Sequence, residues 1–341
     1  MNKVACIYVG YLPVKWVSAV LETIQDLRHR GYSVEVLDGL RFTVPRVRTP
    51  GPLAAFLLGS SPPSLSKLFS EAGAAYRLIP STRAIRGALV SESEDERIGL
   101  AADSSAESLR RVETRLDGPI GGLIRHRMRT LARRSLLACT TRFESDRPDL
   151  LVVLNGRQVD NVGALLAAEK NGVATEYVEL GVTPKTLWLK PFSVFDRGAI
   201  SKDFRQARLA PQSLIQARAW LDSRISGSPE QNQFASTWAA GQDTVNGVSG
   251  HSFEDCIALF SSSPDEFSAL NEDWSPRRFW SQADAFQQVA QVLRELGHKE
   301  IVFRLHPNLA RKRPIQILDA LWMAKKVQRS FGPGCNVISP L

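Results

Sequence analysis

Apolar residues along this chain gather into short unbroken runs, and between the runs they recur at helical spacing. The first run covers residues 3–9, after which Gly10 and Pro13 turn the chain. Residues 16–30 carry Val17, Val20, Leu21, Ile24 and Leu27 on one helical face, with Gly31 as the stop. Residues 33–37 read as a second strand. A strand, a helix and a strand in that order predict a parallel pair joined by a right-handed crossover. Further apolar runs at 149–154, 173–178, 254–260, 301–305 and 336–338 read as strands, and helical spacing covers 159–170, 211–225, 280–296 and 314–330. Strands that are continuously apolar belong to sheets covered on both faces. The expected class is therefore α/β, with two Rossmann-like domains.

Between these elements the pattern is less regular. Residues 41–63 are rich in Pro, Gly and Arg and read as a loop with a short apolar helix at 53–58. Residues 64–90 read as two short helices, and the acidic run 91–96 suits the start of a helix. Residues 98–147 read as helical, with Arg125, Arg127, Arg129, Arg133, Arg134 and Arg142 set among Leu123, Ile124, Met128, Leu131, Leu136 and Leu137. Such a region either leans on an anionic membrane or is a solvated face over an apolar stripe. Residues 182–253 read as a connecting region, Gly-rich or polar at 226–229 and 239–251. The expected domains are 1–245, with a helical insertion at about 41–147 and the connecting region at 182–245, and then 246–341. The second ends after only three strands, fewer layers than a Rossmann-like half needs to bury its sheet.

Composition narrows the partners. A net charge of +8 and a pI near 9.5 favour anions: nucleotides, phosphorylated sugars, nucleic acid or an anionic membrane face. The arginines of the basic stretch have no aromatic interleaving and fit no nucleic-acid module, so nucleic acid is not expected. Cys6, Cys139, Cys256 and Cys335 are far apart and form no CxxC pair, which gives neither a zinc nor a redox motif. No apolar run is long enough to span a bilayer, and the first run is too short for a signal peptide. A cytoplasmic protein is the expectation.

Candidate chemistry collects where strands end. Arg304 and His306 stand two residues apart on an extended stretch that stops at Pro307, so they share a side. A guanidinium and an imidazole at a carboxyl-terminal sheet edge suit a phosphate, although the spacing alone equally allows two caps on a strand end. Asn155, Gly156 and Arg157 follow the strand at 149–154, and Glu179 follows the next strand, so Glu179 is a candidate base beside the Asn-Gly-Arg loop. Ser261, Ser262 and Ser263 open the first strand-to-helix loop of the second domain, where hydroxyls and amides can hold phosphate. No Asp-x-Asp occurs in the chain, so no metal site is expected and the Arg304/His306 pair would replace the cation that many transferases use. The first turn lacks GxGxxG, which removes a dinucleotide fingerprint.

The words Leu259-Phe260-Ser261-Ser262-Ser263-Pro264-Asp265-Glu266-Phe267, then Gln282, then Phe303-Arg304-Leu305-His306-Pro307-Asn308, resemble bacterial capsule and surface-polysaccharide glycosyltransferases. Val153-Leu154-Asn155-Gly156-Arg157 is similar to the same family, which is related to Kdo transferases, bacterial sialyltransferases and teichoic-acid polymerases. The resemblance implies a GT-B-like fold, two Rossmann-like domains facing across a cleft. It implies that His306 with Pro307 contacts the phosphate of a cytidine nucleotide, supported by Arg304, with Ser262 and Ser263 in the first nucleotide-domain loop. It implies metal-independent transfer from a nucleotide sugar, CMP-linked in the first instance, to a polysaccharide or lipid-linked acceptor, with no cofactor. Separately from the resemblance, the basic residues 120–147 allow peripheral contact with the cytoplasmic face of the membrane. A serine- or threonine-rich phosphate loop of the family would fall beyond Leu341. Two other functions share these residues: phospho-alditol transfer of the teichoic-acid type, and a non-catalytic subunit of a polysaccharide assembly complex.

Overall fold

The computed structural model describes residues 3–10, 14–39, 62–79, 90–110, 119–181, 186–208, 211–225, 256–262, 281–306, 309 and 314–339. The expected helix at 53–58, the linkers at 226–229 and 239–251, the domain boundary near 245, and Ser263 and Pro307 lie outside the described residues. The described elements fall into two compact units.

The first unit opens with β1 (Lys3–Val9), α1 (Val14–His29) and β2 (Tyr32–Asp38), followed by α2 (Pro62–Glu71) and β3 (Ala75–Leu78). Then come α3 (Glu92–Arg110), α4 (Pro119–Ser145), β4 (Leu150–Leu154), α5 (Val159–Lys170), β5 (Ala174–Leu180), β6 (Leu187–Lys190) and α6 (Arg197–Arg208). Its sheet has the order β3-β2-β1-β4-β5-β6. The first five strands are parallel and β6 is antiparallel to β5. This is the Rossmann strand order with an antiparallel strand at one edge, and the order reverses between β1 and β4.

Alternate residues of the central strands feed two separate cores, which is why their sequences are apolar throughout. Cys6, Tyr8, Leu151 and Val153 pack with α4 and α5, and Ala5, Ile7, Val9, Val152 and Leu154 pack with α1 and α2. Within the first core Glu35 is a buried carboxylate, and the guanidinium groups of Arg142 and Arg77 each lie 2.8 Å from it. Pairing and hydrogen bonding are what make a buried charge tolerable.

Three expectations change in this unit. Within the described part of residues 64–90, which ends at 79 before resuming at 90, helix α2 is followed by the strand β3, where helix was expected. Ala-Tyr-Arg-Leu has no β-branched residue; pairing with β2 and a 2.5 Å hydrogen bond from the Tyr76 hydroxyl to Asp38 define the strand. The connecting region contains β6 and α6, and Leu-Trp-Leu-Lys again has no β-branched residue. Glu179 lies inside β5 rather than after it, because pairing with β6 carries that strand on to Leu180.

The basic region also resolves into pairs. Arg133 meets Asp95 at 2.6 Å, Arg125 lies 3.9 Å from Asp103, and Arg142 reaches Asp146 as well as Glu35. Arg127 and Arg134 are exposed. Among the described residues no helix is long and apolar enough to cross a membrane.

The second unit contains α7 (Pro211–Ile225), β7 (Ile257–Phe260), α8 (Gln282–Glu295), β8 (Ile301–Arg304), α9 (Pro314–Phe331) and β9 (Cys335–Ile338). Its three strands are parallel and lie in sequence order. Ile301, Phe303, Leu305 and Cys335 form one core with residues of α8 and α9. The chain is thus α/β, with a parallel sheet flanked by helices in each unit.

Candidate functional site

In the second unit two serines at the carboxyl end of β7 tie it to its neighbours, Ser261 to β8 and Ser262 to α8. The Ser261 amide donates to the Arg304 carbonyl at 3.0 Å, and the Ser261 hydroxyl accepts from the His306 amide at 2.9 Å. Ser262 forms a reciprocal pair with the first residue of α8: its amide donates to Gln282 Oε1 at 3.2 Å, and Gln282 Nε2 donates to its hydroxyl at 2.8 Å. The start of α8 is therefore drawn up to the loop after β7. Ser281 caps that helix, accepting from the Asp284 amide at 3.0 Å. Asp284 in turn lies 3.5 Å from Lys326, whose ammonium sits 4.0 Å over the Trp322 ring.

Arg304 and His306 flank the fully buried Leu305 and are themselves partly exposed. Since Phe303 and Leu305 both enter the helix-covered core, Arg304 belongs to the opposite face of the sheet. Arg304, His306, Ser262 and the start of α8 meet at one sheet edge, together with Ser261 and Gln282. Ser263 and Pro307, placed with them by the sequence, lie outside the described residues. Backbone amides, serine hydroxyls, a guanidinium and an imidazole at one edge are groups that can hold phosphate oxygens, although the first turn of α8 carries its own carboxylate, Asp284.

In the first unit the turn after β4 is built from two consecutive left-handed residues, Asn155 at φ 64° and Gly156 at φ 78°. Asparagine tolerates this conformation, and glycine is needed next because an added Cβ would lie 2.6 Å from the Tyr177 ring. The turn aims the Asn155 amide at Glu179: Asn155 Nδ2 donates to one carboxylate oxygen, and the Leu180 amide donates to the other at 3.0 Å. Glu179 is thus a fixed carboxylate. Arg157 stacks over Phe195 with 5.4 Å from guanidinium carbon to ring centroid. Asn155, Gly156, Arg157 and Glu179 are together at the carboxyl edge of β4 and β5.

The start of α5 at this edge is tied to α3. Gln158 supplies no side-chain cap, and the Val159 amide donates instead to Ser105 Oγ on α3, at 2.8 Å. Asp160 is buried in the first turn, pressed against Gly10, where an added Cβ would lie 2.2 Å from its carboxylate. Helices α5 and α8 thus each carry one carboxylate in the first turn, Asp160 and Asp284. Sequence reading missed Ser261 as the clamp on His306, and it missed the aromatic residues of β6 and the segment after it. Trp188, Phe192 and Phe195 within eight residues were the available signal.

No protein-family model matches the chain, and no curated protein matches it. Solved structures with some likeness include the calicheamicin glycosyltransferase CalG4, at 12% identity and a TM-score of 0.29, covering 100% of this chain and 86% of that one. Another is the UDP-GlcNAc 2-epimerase from Neisseria meningitidis bound to UDP-GlcNAc, at 11% identity and a TM-score of 0.29, covering 99% and 72%. A third is the glycotransferase of kitacinnamycin, at 14% identity and a TM-score of 0.26, covering 100% and 87%. Overlays this loose carry no argument, and the architecture rests on the strand orders given above.

Proposed function

We propose that this chain is a glycosyltransferase of GT-B type that takes a sugar from a cytidine nucleotide donor and passes it to a surface or capsular polysaccharide. The observation that carries the reading is the edge made by Ser261, Ser262, Gln282, Arg304 and His306 at the ends of β7 and β8, beside the start of α8. In the reaction the bond from the anomeric carbon to the donor phosphate breaks, and a bond to an acceptor hydroxyl forms. The nucleotide leaves with the electron pair. Arg304 and protonated His306 offset the charge growing on its phosphate, the largest demand of such a step. Pro307 and Ser263 complete this side in the proposal. Glu179, in the first unit, is the proposed base that takes the acceptor proton, with Asn155, Gly156 and Arg157 around it.

Isothermal titration with CMP and CDP tests the donor side directly. Charge-assisted hydrogen bonds contribute about 1.5–3 kcal/mol each, so His306→Ala and Arg304→Ala should each weaken nucleotide binding by roughly 10- to 100-fold. The far-UV spectrum should not change. A wild-type chain that binds neither nucleotide, or a His306→Ala chain that binds as tightly as wild type, would end the assignment.

A further inference from the structure

The strand β6 sets an indole beside the Glu179 carboxylate. Trp188 is the direct partner of Glu179 in the antiparallel register, so the two side chains leave the same face of the sheet from Cβ atoms about 5 Å apart. Leu187 and Leu189 turn to the opposite face and pack in the core there. Phe192 meets Trp188 edge to face, with centroids 5.4 Å apart and planes at 80°, which braces the indole. Both rings are partly exposed, and among the described residues neither belongs to the first unit's core clusters.

Aromatic surface that fills no core lies here next to an amide and a carboxylate that fix one another. Those are the parts that recognise a pyranose: its C–H face rests on a ring, and its hydroxyls need oriented acceptors and donors. One Glu179 oxygen accepts from the Asn155 amide and the other from the Leu180 amide, which fixes the plane of the carboxylate beside the rings. We propose that Trp188, Phe192, Glu179 and Asn155 form a saccharide platform that holds the acceptor sugar. This rests on the glycosyl-transfer reading. It assigns to the first unit a ring-stacking subsite in which the fixed carboxylate orients a hydroxyl as well as receiving its proton.

The test uses the full chain without nucleotide. Saturation-transfer NMR and titration calorimetry are run with cellotetraose, chitotetraose and trigalacturonic acid as probes. At least one should bind in the millimolar range or tighter. Trp188→Leu should weaken it about tenfold while the melting curve is kept, and Trp188→Phe, which retains a ring, should stay within about threefold. If Trp188→Leu does not fold, Glu179→Gln serves, with a loss of about tenfold expected from the charged acceptor. Binding of no probe, or undiminished binding by the variant used, overturns the platform. Nucleotide titration is a separate measurement. A chain that binds a probe but no nucleotide loses the transferase reading and keeps the platform, and the reverse result does the opposite.

Discussion

Gly163 lies in α5 where that helix crosses α4, and replacing it with alanine sets two effects against each other. An added Cβ would lie 2.4 Å from the Ala132 carbonyl oxygen, 2.6 Å from the Leu136 amide nitrogen and 2.7 Å from Ser135 Cβ. Two of these atoms are backbone, so no rotamer change relieves the clash. Non-bonded heavy atoms rest at about 3.5 Å or more, so the helices would have to part by about 1 Å. Parting them loosens the buried contacts of Ala132, Leu136, Ala164 and Ala167. It also strains Ser135 Oγ, which lies 2.9 Å from the Tyr8 hydroxyl and 3.1 Å from the Asp160 carbonyl oxygen. Alanine gains about 1 kcal/mol over glycine inside a helix. Overpacking costs about 1–3 kcal/mol, and each weakened buried hydrogen bond about 1 kcal/mol. The expected net is a loss of about 1–3 kcal/mol for Gly163→Ala. Gly122 in α4 is exposed with nothing within 4 Å of an added Cβ, so Gly122→Ala should gain about 0.5–1 kcal/mol. Urea unfolding followed by circular dichroism measures both. Hydrogen exchange in the α4 and α5 peptides assigns the change to the first unit, because a two-unit chain need not unfold in one step. A Gly163→Ala chain at least as stable as wild type, beside a stabilised Gly122→Ala, would refute the argument.

Two further outcomes follow from the titrating groups. Glu94 closes a capping box at the start of α3, accepting from the Ser91 amide at 2.6 Å while its own amide donates to Ser91 Oγ. The Ser91 amide is the main cause holding its carboxyl below the usual 4.5, with the Ser91 hydroxyl, Lys170 and Arg97 adding to it against desolvation. A depressed folded pKa stabilises above the unfolded value and is lost as pH falls through the folded one. Amide protection in the first turn of α3, corrected for intrinsic exchange, should therefore fall as pH drops below 4.5, and Ser91→Ala should flatten that dependence. Equal pH dependence in both proteins would contradict it. Burial pushes the thiols of Cys6 and Cys139 up to about 12 and that of Cys335 to about 11, whereas Cys256 is only partly covered. Iodoacetamide at neutral pH should alkylate Cys256 first and the other three only on unfolding, as peptide mass spectra would report. Alkylation of Cys6 at the rate of Cys256 in the native protein would count against the burial described.

What could be read from the sequence depended on how many residues carried each signal. The five-residue run at β4 and the sixteen residues of α1 have periods that show themselves, and Gly31, Gly172 and Gly297 lie in left-handed conformation just past their helices. Helix α5 has the bounds that its spacing gave. Strands β3 and β6 were not read because Ala-Tyr-Arg-Leu and Leu-Trp-Leu-Lys lack the β-branched residues by which the equally short β7, β8 and β9 were recognised, and their pairing partners lie elsewhere in the chain. The same limit governed the candidate site. Asn155 and Glu179 could be picked out one at a time because each stands at the end of an apolar run. That the amide of one grips the carboxylate of the other depends on the left-handed turn at Asn155, which no spacing discloses. Trp188 escaped notice for the reason its strand did. His306 was legible as chemistry, but its tie to Ser261 needed the register of β7 on β8.

The central strand β1 has one neighbour close in sequence and one far away. It pairs with β2 by residue 38, whereas its other flank waits for β4, where Ala5 meets Leu150 and the Val4 amide donates to Asp149 at 2.7 Å. At synthesis rates of about 5–20 residues per second, the roughly 110 intervening residues take about 5–20 seconds to make. During that interval β1 presents an unpaired, apolar edge, the surface on which strands of other chains pair wrongly. Slower passage of the ribosome through the segment between β2 and β4 lengthens that exposure.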